Sequence, residues 1–112
     1  MLITDQCMDK QRRVVDVMRQ FDREVPAQVI SSFFYIGSHN GCRSSHLVDA
    51  LGYSNSSASR CTDWLSDYHR LGKPGMGLIA KKKDIMDQRA QLLYLTPKGE
   101  QVIDQIKAIL NE

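Results

Sequence analysis

Apolar residues at Cys7, Val14, Met18, Phe21 and Val25 recur at helical spacing, with charged residues between them. This pattern predicts an amphipathic first helix over residues 5–22. Pro26 has the fixed backbone angle that suits a helical first turn, so a second helix is expected from there to about residue 38. Val29, Ile30, Phe33, Phe34, Tyr35 and Ile36 make it apolar on several sides, as a central buried helix would be. Gly37, Asn40 and Gly41 are read as ending it.

A short third helix is predicted over residues 44–51, with Leu47, Val48 and Leu51 inward and Gly52 breaking it. Ser54 is placed to cap a fourth helix. There Ala58, Cys61, Leu65 and Tyr68 form an inward stripe, and Asn55, Ser56, Ser59, Arg60 and Asp63 fall on the opposite face. Gly72, Pro74, Gly75 and Gly77 exclude further helix and mark a loop. Two strand-like runs follow, residues 77–83 and 90–95, joined by residues 84–89 as a hairpin with a polar tip. Thr96 then caps a last helix, with Pro97 in its first position and Glu100 in its first turn. Val102, Ile103, Ile106, Ile109 and Leu110 cover more of this helix than one small core can bury, which points to a subunit contact.

With 112 residues the chain suffices for one domain. The expected fold class is mainly α with a small β-hairpin, a winged helix-turn-helix over residues 1–112. Its parts are an N-terminal helical segment (1–25), a helix-turn-helix (43–71), a wing (77–96) and a C-terminal helix (97–112). Three cysteines, Cys7, Cys42 and Cys61, form no disulfide framework and indicate a reducing compartment. With no apolar run long enough for a membrane span and no signal-peptide pattern at the N-terminus, a cytoplasmic protein is expected.

Net charge is only +2, but its distribution is uneven. Residues 69–89 hold Arg70, Lys73, Lys81, Lys82, Lys83 and Arg89 against Asp84 and Asp87, a local +4 that leaves −2 for the rest of the chain. Positive charge concentrated in one place suits a nucleic-acid contact.

Helix, sharp turn, polar-faced helix and basic hairpin together divide the work of reading duplex DNA. The second helix of a helix-turn-helix lays its first residues against base edges in the major groove. Asn55, Ser56, Ser57, Ser59 and Arg60 are the candidates there, since serine and asparagine hydrogen-bond without bulk and arginine can grip guanine bidentately. Ser44, opening the bracing helix, is a further DNA-contact candidate. Lys81, Lys82 and Lys83 suit phosphate contacts, and Arg89 at the hairpin tip suits the negative potential of the minor groove. The bland alternatives are a polar loop at Ser54–Ser57 and lysines that merely guard a sheet edge. The helical spacing from Ala58 onward weighs against the first, and the company of Arg89 against the second.

These residues resemble a known pattern. Asp87-x-Arg89-x-x-x-Leu93-x-Leu95-Thr96-x-x-Gly99 is similar to the wing signature of the MarR family of winged helix-turn-helix transcriptional regulators. Leu51-Gly52-Tyr53-Ser54, followed by Ser57-x-Ser59-Arg60 and Leu65, resembles that family's turn and recognition helix. The resemblance covers about residues 31–109. It implies a homodimer joined by terminal helices, a near-palindromic operator and, usually, repression. It also implies that Arg89 enters the minor groove with Asp87 positioning it, and that Ser56, Ser57, Ser59 and Arg60 meet the major groove. The glycine-rich segment 72–77 is longer than the usual link and looks like that of compact phage- or mobile-element-type members. The chain is shorter than typical members, and the full C-terminal helix pair is not expected.

No enzyme is expected: the chain has no phosphate-binding loop, nucleophile elbow or zinc-protease motif, and no cofactor is called for. His39, Cys42 and His46 supply only three of the four ligands of a structural zinc site, so no metal is expected. Cys7 occupies the region where some relatives sense oxidants, but Asp5 and Asp9 beside it disfavour the thiolate. No small-molecule effector is identified. A winged-helix module that binds protein is the other class weighed; convergence of Lys81, Lys82, Lys83 and Arg89 on one hairpin argues against it.

Overall fold

The computed structural model describes residues 2–67, 72 and 74–112. Among them are helices α1 (Gln6–Arg19), α2 (Ala27–Ser38), α3 (Ser44–Leu51), α4 (Asn55–Leu65) and α5 (Pro97–Leu110). Strands β1 (Cys42–Arg43), β2 (Ile79–Lys83) and β3 (Gln91–Leu95) form an antiparallel sheet in the order β1-β3-β2. Tyr68, assigned to the inward stripe of the fourth helix, lies outside the described residues, as do Arg70 and Lys73 of the basic segment.

The winged helix-turn-helix expected from the sequence is the observed fold, with one strand more than the hairpin. β1 pairs Cys42 with Leu93 and Arg43 with Leu92, so the start of α3 is stitched to the wing. Two residues are too few to show an alternating pattern, and the sequence offered no sign of this strand.

Local chemistry accounts for the helix ends. Asp5 caps α1 by accepting from Met8 N at 3.1 Å. The helix stops at Arg19, three residues short of the predicted limit, and Phe21 and Val25 pack onto the core from the turn beyond it. Its buried face is Val14, Val17 and Met18, whereas Cys7, the first apolar position of the predicted pattern, is exposed. Gly37 does not end α2. It lies within the helix, where a Cβ would sit 2.6 Å from Ile103 Cδ1, so its bareness lets α5 approach. Gly52 ends α3 in the left-handed conformation at φ 68°, which glycine adopts without steric cost.

The core draws on every helix and on the sheet: Met18, Phe33, Leu47, Leu65, Ile79, Leu93 and Val102 are among its buried residues. Burying one such side chain contributes roughly 1.5–3 kcal/mol relative to leaving it in water. α1 packs along α5, and α2 along α4. The turn after α1 is also joined to α4 through the indole Nε1 of Trp64, which donates to Asp22 Oδ2 at 2.7 Å.

The glycine-rich segment fastens the wing to α4. Gly75 N, Met76 N and Leu78 N donate to the carbonyls of Asp67, Trp64 and Leu65 at 2.9, 2.9 and 2.8 Å. The backbone passes so near that a Cβ on Gly75 would lie 1.7 Å from the Ser66 carbonyl oxygen. On the other side Thr96 Oγ1 donates to the Gly77 carbonyl at 2.7 Å and accepts from Gly99 N at 3.0 Å. The base of the wing is thus held between the end of α4 and the start of α5.

Candidate nucleic-acid interface

Ser54 opens α4 as its cap, accepting from Ser57 N at 3.1 Å. Asn55, Ser56 and Arg60 are exposed, and Ser57 and Ser59 are half-buried. Ser57 Oγ accepts from Arg60 Nη2 at 3.1 Å, which holds the guanidinium along the first turn. No acid lies in that turn, so the positive end of the helix dipole is left uncompensated by a carboxylate. The inner face is closed by Ala58, Cys61, Thr62 and Leu65, all buried.

α3 begins where β1 ends. Arg43 N donates to His46 Nδ1 at 3.1 Å across its first turn. Ser44 Oγ is buried with no hydrogen-bond partner among the described residues.

The turn of the wing is organised by two carboxylates. Asp84 Oδ1 accepts from Met86 N at 2.9 Å, while its Oδ2 accepts from Arg43 Nη2 at 2.8 Å. Asp87 Oδ1 accepts from Arg89 N at 3.0 Å and lies 3.7 Å from Arg89 Nε. Asp87 therefore fixes the backbone from which Arg89 projects, and that side chain is 96% exposed. The Met86 amide holds the Asp84 carboxyl below its ordinary value; partial burial opposes this, and the Arg43 charge adds to it. The tip is not polar throughout, as the sequence pattern suggested. Ile85 and Met86 stand 93% and 90% exposed between the two acids.

The three lysines differ. Lys81 Nζ is paired with Asp63 of α4, both side chains being one-fifth exposed. Lys82 Nζ lies 5.2 Å from the centre of the Tyr94 ring. Lys83 is exposed and faces a cleft of 480 Å³ between α3, α4 and the wing.

That cleft gathers Ser44, Asn55, Lys83, Asp87 and Arg89, five of the residues expected to meet DNA, and adds Arg43, Ser45, Gln88 and Gln91. Ser56, Ser57, Ser59, Arg60, Lys81 and Lys82 do not line it. Arg43 escaped the sequence reading because it precedes the helix pattern; its position next to Ser44 was the available signal.

The buried thiols are ordinary core groups: burial pushes both Cys42 and Cys61 up from the usual thiol value. His39 stacks on Tyr35 with ring centres 4.3 Å apart, and His46 Nδ1 is engaged by the Arg43 amide. Among the described residues no group of three or more His, Cys, Asp or Glu side chains is arranged to hold a metal.

A winged helix-turn-helix with a basic cleft between α3, α4 and its wing defines the class. No protein-family model matches the chain, and no curated protein matches it by sequence. Solved structures do match, and they are MarR-family transcriptional regulators. The MepR–DNA complex of S. aureus superposes with a TM-score of 0.73 at 18% identity, covering 94% of this chain and 79% of that one. A MarR transcriptional regulator from Methanosarcina mazei Go1 gives 0.69 at 17% identity, covering 95% and 69%. A transcriptional regulator from Thermotoga maritima gives 0.69 at 25% identity, covering 91% and 65%. The chain has the MarR-type winged helix-turn-helix fold, as the motif resemblance implied.

Proposed function

We propose that this chain is a sequence-specific, double-stranded-DNA-binding transcriptional regulator of the MarR family, and a repressor. One observation carries the reading. The starts of α3 and α4 and the wing converge on a single cleft edged by Arg43, Lys83 and Arg89. The fold supports it, as does the S. aureus relative solved on DNA.

In this reading α4 enters the major groove with Asn55, Ser56, Ser57, Ser59 and Arg60 toward base edges. Lys82 and Lys83 meet phosphates, Ser44 borders the cleft that faces the backbone, and Arg89, steadied by Asp87, enters the adjacent minor groove. Lys81, engaged by Asp63, sets the wing against α4 and reaches phosphate only by exchanging that partner. The protein works as one winged-helix unit over residues 1–112, in the cytoplasm, as a homodimer joined through α1 and α5. Met8, Val15 and Leu110 on those helices are 64%, 41% and 46% exposed and would be covered in such a dimer.

Selection of bound sites from random duplexes tests the reading. Recovery of a near-palindromic sequence, bound in a salt-dependent manner, is expected. Failure to enrich any sequence would favour a winged helix that binds protein instead.

A further inference from the structure

The turn at the end of the wing carries two adjacent apolar side chains that contribute nothing to the core. Ile85 and Met86 are 93% and 90% exposed, so folding leaves both in water. Isolated exposed apolar residues are common. This pair is different because its backbone is braced. Asp84 N donates to the Ala90 carbonyl at 3.0 Å, Ala90 N donates to the Asp87 carbonyl at 2.9 Å, and Asp84 Oδ1 holds Met86 N. Polar residues would satisfy the same turn. A fixed apolar apex pointing away from the core is a surface kept for a partner.

The surrounding charge identifies that partner. Lys82 and Lys83 end one limb of the hairpin and Arg89 lies in the turn before the other, while Asp84 and Asp87 are each engaged by an arginine. Cations flanking an apolar apex suit a polyanion with an apolar interior. Lys83 also lines both sides of the wing: the cleft with Asn55 and Arg89, and a second groove of 420 Å³ with Ile85, Met86 and Tyr94. Lys83 thus stands between the proposed DNA-facing cleft and the groove beside the apex.

We propose that Ile85 and Met86 form an apolar wedge that enters the minor groove of duplex DNA beside Arg89, packing on deoxyribose faces and prying at a base step. The inference rests on the DNA-binding reading and adds an uncharged contact to it. Ile and Met are among the side chains suited to partial insertion between base steps, which kinks the duplex. Pyrimidine–purine steps yield most easily, so the apex would read deformability rather than a hydrogen-bond pattern.

The test uses the full chain and a duplex selected by the wild type. The double variant I85S/M86Q should melt as the wild type does, because neither side chain is in the core. It should bind that duplex about tenfold or more weakly, from lost apolar burial. The dependence of log affinity on log salt should keep its slope, since no phosphate contact is removed. The conservative pair I85V/M86L should restore affinity. Equal binding by wild type and I85S/M86Q would overturn the wedge and leave the DNA reading standing. A weakened variant with a shallower slope, or with an altered oligomeric state, would also overturn it, by assigning the apex to phosphate contact or self-association. Absence of salt-dependent binding by the wild type would instead defeat the DNA reading, and the wedge with it.

Discussion

Lys81 of the wing is ion-paired with Asp63 of α4, and the two side chains are shielded from most of the surrounding water. The pair ties α4 to β2 of the wing. Its worth lies between an exposed pair and a buried one, about 1–2 kcal/mol. Lys81→Ala should lower stability to urea by that amount, with little change in the salt slope of DNA binding. A slope shallower by about one would instead make Lys81 a phosphate anchor.

Arg89 has the opposite character. Its side chain is almost wholly exposed and lies against Asp87. Arg89→Ala should leave the melting curve unchanged and weaken operator binding by about 10–100-fold, the range of one well-placed contact of about 1–3 kcal/mol. Titration of wild type and variant on one labelled duplex checks this. Unaltered affinity would remove Arg89 from the interface.

Gly99 belongs to the wing-like motif because of space. A Cβ there would lie 2.0 Å from the Leu78 carbonyl oxygen, at the base of the wing. Gly99→Ala must push α5 away from that carbonyl. The expected cost is about 1–3 kcal/mol, typical of overpacking, read as a lower urea midpoint. A variant as stable as wild type would mean that the contact relaxes without strain.

The Asp84 carboxyl is held below its ordinary value, first by the Met86 amide, against partial burial, and then by Arg43. A carboxyl lowered by folding contributes stability that is fully present above its unfolded pKa, near 3.9. That contribution is lost as pH falls through the depressed folded value. Order at the wing tip should therefore persist at neutral and mildly acidic pH. The Met86 amide resonance should titrate with a midpoint below the usual carboxylate range and show no such step in Asp84→Asn. A midpoint at or above that range would contradict the bracing role.

What the sequence made legible was mostly local. Gly52, Ser54 and Thr96 act through their own backbone or a residue three positions on, and each has its expected capping or terminating role. The end of the third helix follows from Gly52. Long-range relations were not legible: β1 acquires its identity by pairing with β3, and Gly37 its purpose from Ile103. The same division runs through the candidate site. Residue types and the wing motif marked Asn55, Lys83, Asp87 and Arg89, but nothing local separates Lys83, which faces the cleft, from Lys81, which Asp63 takes up. Ile85 and Met86 were hidden inside a segment read as polar because four of its six residues are.

In the proposed function α4 and the wing form one DNA-reading surface. Affinity for a selected duplex, measured across salt concentration, tests it most directly. A protein that neutralises several phosphates loses affinity linearly in log salt, with a slope of about −0.9 per contact. The predicted result is a slope of several units for the wild type, with a slope shallower by about one for Lys83→Ala and a changed sequence preference for Arg60→Ala. A flat salt dependence, or no binding to any duplex, would contradict the account.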